Sequence, residues 1–172
     1  MFQRRFLAHD PARPALHDPE TGWLTYGDLR ARGESAARGL AANGVKPGDI
    51  VAIHLENGLD LVDAHLGCIA LGAVRLPLNA HYREAELRPI LEDAAPVRVL
   101  TRTPERFPGV PCAPAATRVS GEGYGPWAEN DRTALLFTSG TTGRPKGVPG
   151  SIVELRRLTM DPGAARLGAC PG

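Results

Sequence analysis

One segment of the sequence combines the residue types that bind phosphate groups. Residues 138–147 read TSGTTGRPKG, in which hydroxyl side chains and glycines precede a lysine, Lys146. Glycine lets a backbone N–H approach an anion without obstruction by a Cβ atom, and hydroxyl and ammonium groups add further donors. The segment is not the nucleotide P-loop GxxxxGK[ST], since Gly147 stands where that motif has a hydroxyl residue. From the residues alone, a polyphosphate-binding loop and a polar turn after a strand both remain open.

No other group of side chains predicts catalysis or metal binding. His54 and His65 lie in apolar segments, so we expect them to be partly buried structural residues. Asp60 and Asp63 are expected on one solvated face of a helix. The five histidines lack the spacing of metal ligands, so the sequence predicts no metal site and no catalytic acid or base. The cysteines are odd in number and form no CxxC pair, which favours a reducing compartment: Cys68, Cys112 and Cys170.

The composition excludes several classes of partner. The 172 residues, enough for one domain, carry 20 basic and 19 acidic side chains, a net charge of +1. A nucleic-acid-binding protein usually has a basic excess, so no nucleic-acid partner is expected. The longest apolar run, residues 66–74, is far shorter than the roughly 20 residues of a membrane span. Residues 1–14 do not form the apolar core of a signal peptide, so we expect a cytoplasmic protein.

The pattern of elements around the segment predicts an α/β fold. Thr25 and Asp28 form a capping box at the start of a helix that should end at Gly44. Short apolar runs at 50–55, 73–78 and 97–101 read as strands, and they alternate with helical patterns at 59–72 and 84–95. Strands that alternate with helices indicate a largely parallel sheet. A proline-rich connector, 102–131, then leads to a strand at 133–137 that runs directly into the segment.

A resemblance to a known family resolves the choice left open above. Residues 135–148, LLFTSGTTGRPKGV, resemble the signature loop of the adenylate-forming (AMP-binding) superfamily. The resemblance covers residues 11 to about 151, and residues 76–96 are also similar, more weakly, to malonyl-CoA synthetases and related acyl-CoA ligases. Four upstream segments support it in the family's order: RPAL (13–16), LTYGDL (24–29), GVKPGDIVAIHLENG (44–58) and LGAVRLPLN (71–79).

This resemblance implies a fold, a reaction and a set of ligands. The implied fold is a partial Rossmann-like parallel sheet with flanking helices, the N-terminal part of a ligase large domain. The implied reaction converts a carboxylic acid with ATP to an acyl-adenylate and then to an acyl-CoA, as in fatty acid metabolism. The implied ligands are ATP, Mg²⁺ and coenzyme A. Arg144 and Pro145 are expected only to shape the loop. By matching position, the ATP phosphates would be held by Thr138, Ser139, Gly140, Thr141, Thr142, Gly143 and Lys146.

The resemblance ends close to Ser151. The family continues with Ser-His, whereas Ile152 follows Ser151 here. We therefore expect two segments: 1–151, the N-terminal part of the AMP-binding domain, and 152–172, a non-homologous tail produced by a frameshift, with a short helix at 152–160. The resemblance also implies that the family's C-terminal catalytic parts are missing and that the chain is not catalytically competent alone. The alternatives are a stand-alone nucleotide- or phosphate-binding module and an inactive remnant.

Overall fold

The computed structural model describes residues 2–114, 118–121, 127, 132–138 and 146–151. Helices and strands alternate along most of this length. In chain order they are α1 (Phe2–Leu7), β1 (Pro14–Asp18), β2 (Gly22–Thr25), α2 (Tyr26–Ala42), β3 (Ile50–His54), α3 (Leu59–Leu71), β4 (Val74–Pro77), α4 (Glu84–Ala94), β5 (Arg98–Thr101), a 3-10 turn (Pro104–Arg106), β6 (Cys112–Ala113), β7 (Arg132–Thr138) and β8 (Lys146–Ser151).

The start of α2 shows how local sequence fixes an element. The Thr25 hydroxyl accepts a hydrogen bond from the backbone N–H of Asp28 at 3.1 Å, and the Asp28 carboxylate accepts one from the N–H of Thr25 at 2.8 Å. This reciprocal pair satisfies two donors that the first helical turn leaves unpaired. The helix ends at Ala42, and Gly44 takes the left-handed conformation with φ +83°. The predicted capping box and helix end are both confirmed.

A six-stranded sheet forms the centre of the molecule. The strand order is β6-β5-β3-β4-β7-β8, in which the first five strands are parallel and β8 is antiparallel to β7. Side chains of β3 are buried on both faces: Val51 and Ile53 pack in a cluster with α2 and α3, and Ala52 packs in a cluster with α4. Burial on both faces explains why β3 reads as a continuous apolar run. The predicted α/β fold with a partial Rossmann-like parallel sheet is confirmed.

Helices α2 and α3 approach each other through small residues. A Cβ atom added at Gly67 would lie 2.7 Å from the Cβ of Ala36 and 3.1 Å from its carbonyl carbon. Real Cβ atoms do not approach other carbon atoms this closely, so only glycine fits at this position without movement of a helix. The contact presses the two helices together on one face of the sheet.

The two tryptophans have opposite environments. Trp127 is 7% exposed, with its ring 5.4 Å from that of Phe6, and its indole N–H donates to Glu34 Oε1 at 3.4 Å. Trp23, in the β1–β2 hairpin, is 67% exposed and makes an edge-on contact with the His17 ring at 5.2 Å. One indole therefore belongs to the core and the other to the surface.

The sequence did not predict every strand. The antiparallel β1–β2 hairpin and the edge strands β6 and β8 were not expected, and the region read as a connector contains β6 and the 3-10 turn. A two-residue strand such as β6 is too short to show any periodicity. Strand β8 reads KGVPGS, a glycine- and proline-rich sequence that favours a turn, and its pairing with β7 overrides that preference. The helix predicted at 152–160 lies outside the described residues.

Candidate functional site

Parallel pairing brings several strand ends to one edge of the sheet. Strands β3, β4, β5 and β7 all run in the same direction, so their carboxyl ends share this edge. His54 ends β3, Thr101 ends β5, and Thr138 ends β7. In open parallel sheets this is the edge at which ligands bind. The phosphate-binding segment predicted from the sequence therefore begins where such a site is expected.

The β7–β8 ribbon brings the two ends of this segment together. Thr138 and Lys146 are cross-strand partners, as are Phe137 and Gly147. A Cβ atom at Gly147 would lie 3.1 Å from the Phe137 ring, so the ring covers the glycine closely. The remaining predicted site residues lie outside the described residues: Ser139, Gly140, Thr141, Thr142 and Gly143.

An open groove of about 1040 Å³ lies at the same edge, beside β3 and β5. Its walls are formed by the β1–β2 hairpin, the loop after β3, the start of α3, the loop after β4 and the 3-10 turn. An ion pair between Asp60 of α3 and Arg102, which follows β5, crosses one side of it. The other charged or titratable lining residues are His17, Asp18, Glu20, Arg32, His54, Glu56, Arg106 and Arg118. The sequence singled out no residue of this groove as part of a site, because its walls come from segments distant in the chain.

His54 lines this groove and is buried, as the apolar segment around it predicted. Its side chain is 5% exposed, packs edge-on against the Phe107 ring at 5.0 Å, and contacts Thr101 and Arg106. Burial, followed by the nearby Arg106 guanidinium, lowers the pKa of His54 below its usual value of 6.5. Both causes favour the neutral ring.

Asp63 is not solvated, so the sequence prediction for this residue was wrong. Its side chain is fully buried, and its carboxylate accepts two hydrogen bonds from Arg32, at 2.7 Å from Nε and 2.8 Å from Nη2. Arg118 Nε lies 3.8 Å from the same carboxylate. The packing of α3 on α2 brings Arg32 to Asp63 across 31 positions of sequence, a pairing that no local pattern reveals.

A second group, made of the partly buried His65 and Arg75 and the buried Cys68, lies between α3 and β4. The Arg75 guanidinium lies 3.5 Å from Nδ1 of His65, and both burial and this charge lower the pKa of His65 to about 4. Burial also raises the pKa of the Cys68 thiol to about 12. A thiol with such a pKa stays protonated and unreactive at neutral pH. These groups therefore have the properties of core residues rather than of a catalytic site.

Two classes of site are absent from the part of the chain that the structure describes. Within it, no three His, Cys, Asp or Glu side chains are grouped so that they could hold a metal ion. Among the same residues, no helix has the length and apolarity needed to cross a membrane.

Comparison with known proteins identifies the family. A family model described as "AMP-binding enzyme" matches residues 2–161. The chain is 36% identical over 149 residues to enterobactin synthase component F of Escherichia coli strain K12. This alignment covers 82% of this chain and 11% of that protein. The solved structure of Bacillus subtilis o-succinylbenzoate CoA synthetase with its acyl-adenylate intermediate matches at a TM-score of 0.78 and 28% identity, covering 98% of this chain and 46% of that one. The solved structure of ATP-bound MatB from Rhodopseudomonas palustris matches at a TM-score of 0.75 and 26% identity, and the match covers 90% of this chain and 36% of that one.

The fold and these matches define the class of protein: this chain belongs to the AMP-binding enzyme family, within the adenylate-forming superfamily. The resemblance stated from the signature loop is thereby confirmed. The chain spans less than half the length of each of the three relatives. The family match continues past Ser151 to residue 161, and the division of the chain at 151 stays a prediction.

Proposed function

We propose that this chain supplies the ATP-phosphate-binding part of an enzyme that activates a carboxylic acid to an acyl-adenylate and then to an acyl-CoA. The observation that carries the proposal is the pairing of Thr138 with Lys146 at the carboxyl edge of the sheet. This pairing closes the base of the signature loop at the position where parallel sheets bind ligands. Membership of the AMP-binding family supplies the reaction class.

The residues of the loop suit a polyphosphate. Segment 138–147 contains hydroxyl residues, glycines, Arg144 and Lys146, and it contains no carboxylate that would repel an anion. Backbone N–H groups, hydroxyls and the Lys146 ammonium would offset negative charge on the β- and γ-phosphates. They would do so most strongly as charge develops on the pyrophosphate leaving group. Mg²⁺ would be bound largely through the ATP phosphates, as is usual for this ion.

The finer features of the proposal have separate support. Coenzyme A as the acceptor is supported by the likeness to o-succinylbenzoate CoA synthetase. A reducing, cytoplasmic location is supported by the free cysteines Cys68 and Cys112. Because the chain spans 46% or less of the relatives reported above, we expect the 172 residues alone to bind ATP without completing catalysis.

Replacement of Lys146 tests the proposal directly. Lys146→Ala should weaken ATP binding roughly tenfold or more, because a hydrogen bond from a charged donor contributes about 1.5–3 kcal/mol. Calorimetric titration of the chain with ATP and Mg²⁺ measures the affinity, and Arg144→Ala in the same loop is the matched control with a much smaller expected effect. If the unaltered chain does not bind ATP, or if Lys146→Ala binds it equally well, the assignment of the loop is wrong.

A further inference from the structure

The hydrogen bonds around His54 determine which ring nitrogen carries its proton. Nε2 lies 3.1 Å from Nη1 of Arg106, and Nδ1 lies 3.3 Å from the hydroxyl oxygen of Thr101. A guanidinium has only donors, so Nε2 must accept and cannot carry a hydrogen. The neutral ring is therefore protonated on Nδ1, and Nδ1 donates to Thr101.

The hydroxyl of Thr101 is fully used in this arrangement. It accepts from Nδ1 of His54 and from the backbone N–H of Thr103 at 3.0 Å, and it donates to the Thr103 hydroxyl at 3.2 Å. A hydroxyl has one hydrogen and two lone pairs, so each has a partner. The opposite tautomer would direct an N–H of His54 at the Arg106 guanidinium. The network is consistent with one tautomer only.

Arg106 carries the effect of His54 to a neighbouring loop, residues 79–82. Its Nη1 group donates to His54 and also to the carbonyl oxygen of Ala80 at 3.2 Å, and its Nη2 group donates to the carbonyl oxygen of Tyr82. The loop has two internal hydrogen bonds of its own, from the N–H groups of Tyr82 and His81 to Asn79. Since Ala80 lines the groove, Arg106 holds one of the groove walls in place.

We propose that neutral His54 is a latch that holds loop 79–82 against the groove through Arg106, and that protonation of the ring at Nε2 releases the loop. A protonated Nε2 can no longer accept from Arg106, and the two positive charges then repel each other. The new N–H can instead donate to the carbonyl oxygen of Ala80, which is the acceptor that Arg106 uses. Release of Arg106 also breaks its bond to Tyr82, so both contacts to the loop are lost together. The latch acts on the groove and does not depend on the proposed ATP site.

The charges around the ring determine when the latch is closed. Burial and the Arg106 guanidinium lower the pKa of His54, and the carbonyl oxygens of Ala80 and His54 act in the opposite direction. Glu56 from the loop after β3, Asp60 from α3 and Arg102 after β5 line the same groove, and Asp60 and Arg102 neutralise each other as an ion pair. His81 lies exposed within loop 79–82. The latch is therefore closed at neutral pH and opens in acid.

Two measurements on the chain test this latch. The ¹⁵N chemical shifts of the His54 ring at neutral pH should show a protonated Nδ1 and an unprotonated Nε2, and this test requires no variant. Amide hydrogen exchange of residues 79–83, corrected for the intrinsic effect of pH, should be about tenfold faster well below the ordinary histidine pKa of about 6.5 than above it. All exchange samples carry His81→Gln, so that His54 is the histidine under test near the loop.

Variants separate the latch from general acid destabilisation. Gln at position 54 can accept from Arg106 but cannot gain a proton, so His54→Gln should keep the loop protected at both pH values. Arg106→Gln should make exchange in the loop fast at both pH values. His65→Gln replaces a partly buried histidine on α3, outside loop 79–82, and it should leave the pH effect unchanged. A ring protonated on Nε2, exchange that is equal at both pH values, or a pH effect that persists in His54→Gln would each overturn the proposal.

Discussion

Asp60 and Asp63 lie one turn apart on α3, yet their carboxylates have very different surroundings. Asp63 is fully buried and bonded twice to Arg32, whose side chain is only 17% exposed. Asp60 pairs with Arg102, whose side chain is 77% exposed. A buried ion pair is costly to break because the remaining charge stays buried, whereas an exposed pair contributes little.

This contrast predicts unequal effects of the same substitution. Asp63→Asn should lower the free energy of unfolding by about 3 kcal/mol, because it leaves the Arg32 charge without a carboxylate. Asp60→Asn, the matched control on the same helix, should change it by about 1 kcal/mol or less. Denaturant unfolding of both variants measures the difference. Equal effects would mean that the Arg32–Asp63 pair is not buried as described.

His65 gives a prediction about acid stability. Its pKa is about 4 in the folded chain and close to 6.5 when unfolded, so the unfolded state binds the proton more readily between these values. The stabilising contribution of the neutral ring is complete above about pH 6.5 and is lost as pH falls toward 4, a change of roughly 3 kcal/mol.

Comparison of variants isolates this contribution from those of other groups. His65→Gln should reduce the slope of unfolding free energy against pH between 6.5 and 4, the interval set by the two pKa values, and the contribution of His54, whose pKa is also lowered, should remain. His81→Gln replaces an exposed ring and should leave the slope unchanged. A slope that is unchanged in His65→Gln would show that the ring is solvated.

At the scale of elements, the contact between α2 and α3 sets a steric limit. Gly67→Ala would gain about 1 kcal/mol in helix propensity, but the added Cβ would lie 2.7 Å from the Cβ of Ala36. Overpacking of this kind costs about 1–3 kcal/mol, so we expect a net loss of stability measured by thermal or denaturant unfolding. Ala36→Gly removes the facing methyl, so Gly67→Ala should cost less stability in an Ala36→Gly background than in the unaltered chain. An equal cost in the two backgrounds would locate the strain elsewhere.

Several elements could be predicted because their signals are local. The capping box at Thr25 and Asp28 and the buried runs of β3 and β5 require only neighbouring residues to be recognised. The pairing of β8 with β7 and of Arg32 with Asp63 depends on which surfaces meet after folding. The spacing of Asp60 and Asp63 fits a solvated helix face, and tertiary packing decides which of the two is buried.

The candidate site also has features that the sequence could predict and features that it could not. The signature loop was recognisable because its residue types are consecutive, and the sequence correctly placed it directly after a strand. The groove beside β3 and β5 was not recognisable, because its walls come from segments distant in the chain, among them the β1–β2 hairpin, α3 and the segment after β5. His54 was expected to be structural, but its tautomer follows only from the positions of Thr101 and Arg106.

At the scale of the whole chain, the origin of residues 152–172 stays a prediction. We propose that one base was lost near codon 151, because Ile152 follows Ser151 where the resemblance implies histidine. Loss of one C from TCC-CAT-CGT, encoding Ser-His-Arg, gives TCC-ATC-GT, which encodes Ser, Ile and the start of a Val codon, as at Ser151, Ile152 and Val153. Sequencing the gene should show that restoring this base opens a frame encoding Ser-His and further family segments. If neither alternative frame encodes them, the frameshift is rejected.

Because the two tryptophans differ in exposure, their intrinsic fluorescence should report on two different parts of the chain. Trp23 should emit at longer wavelength and be quenched readily by acrylamide, whereas Trp127, 7% exposed and packed against Phe6, should emit further to the blue and resist quenching. Trp23 stands on the hairpin that borders the groove, and Trp127 packs against α2 through Gly33. Steady-state fluorescence can therefore follow events at the groove and loss of the core as separate signals without any added dye.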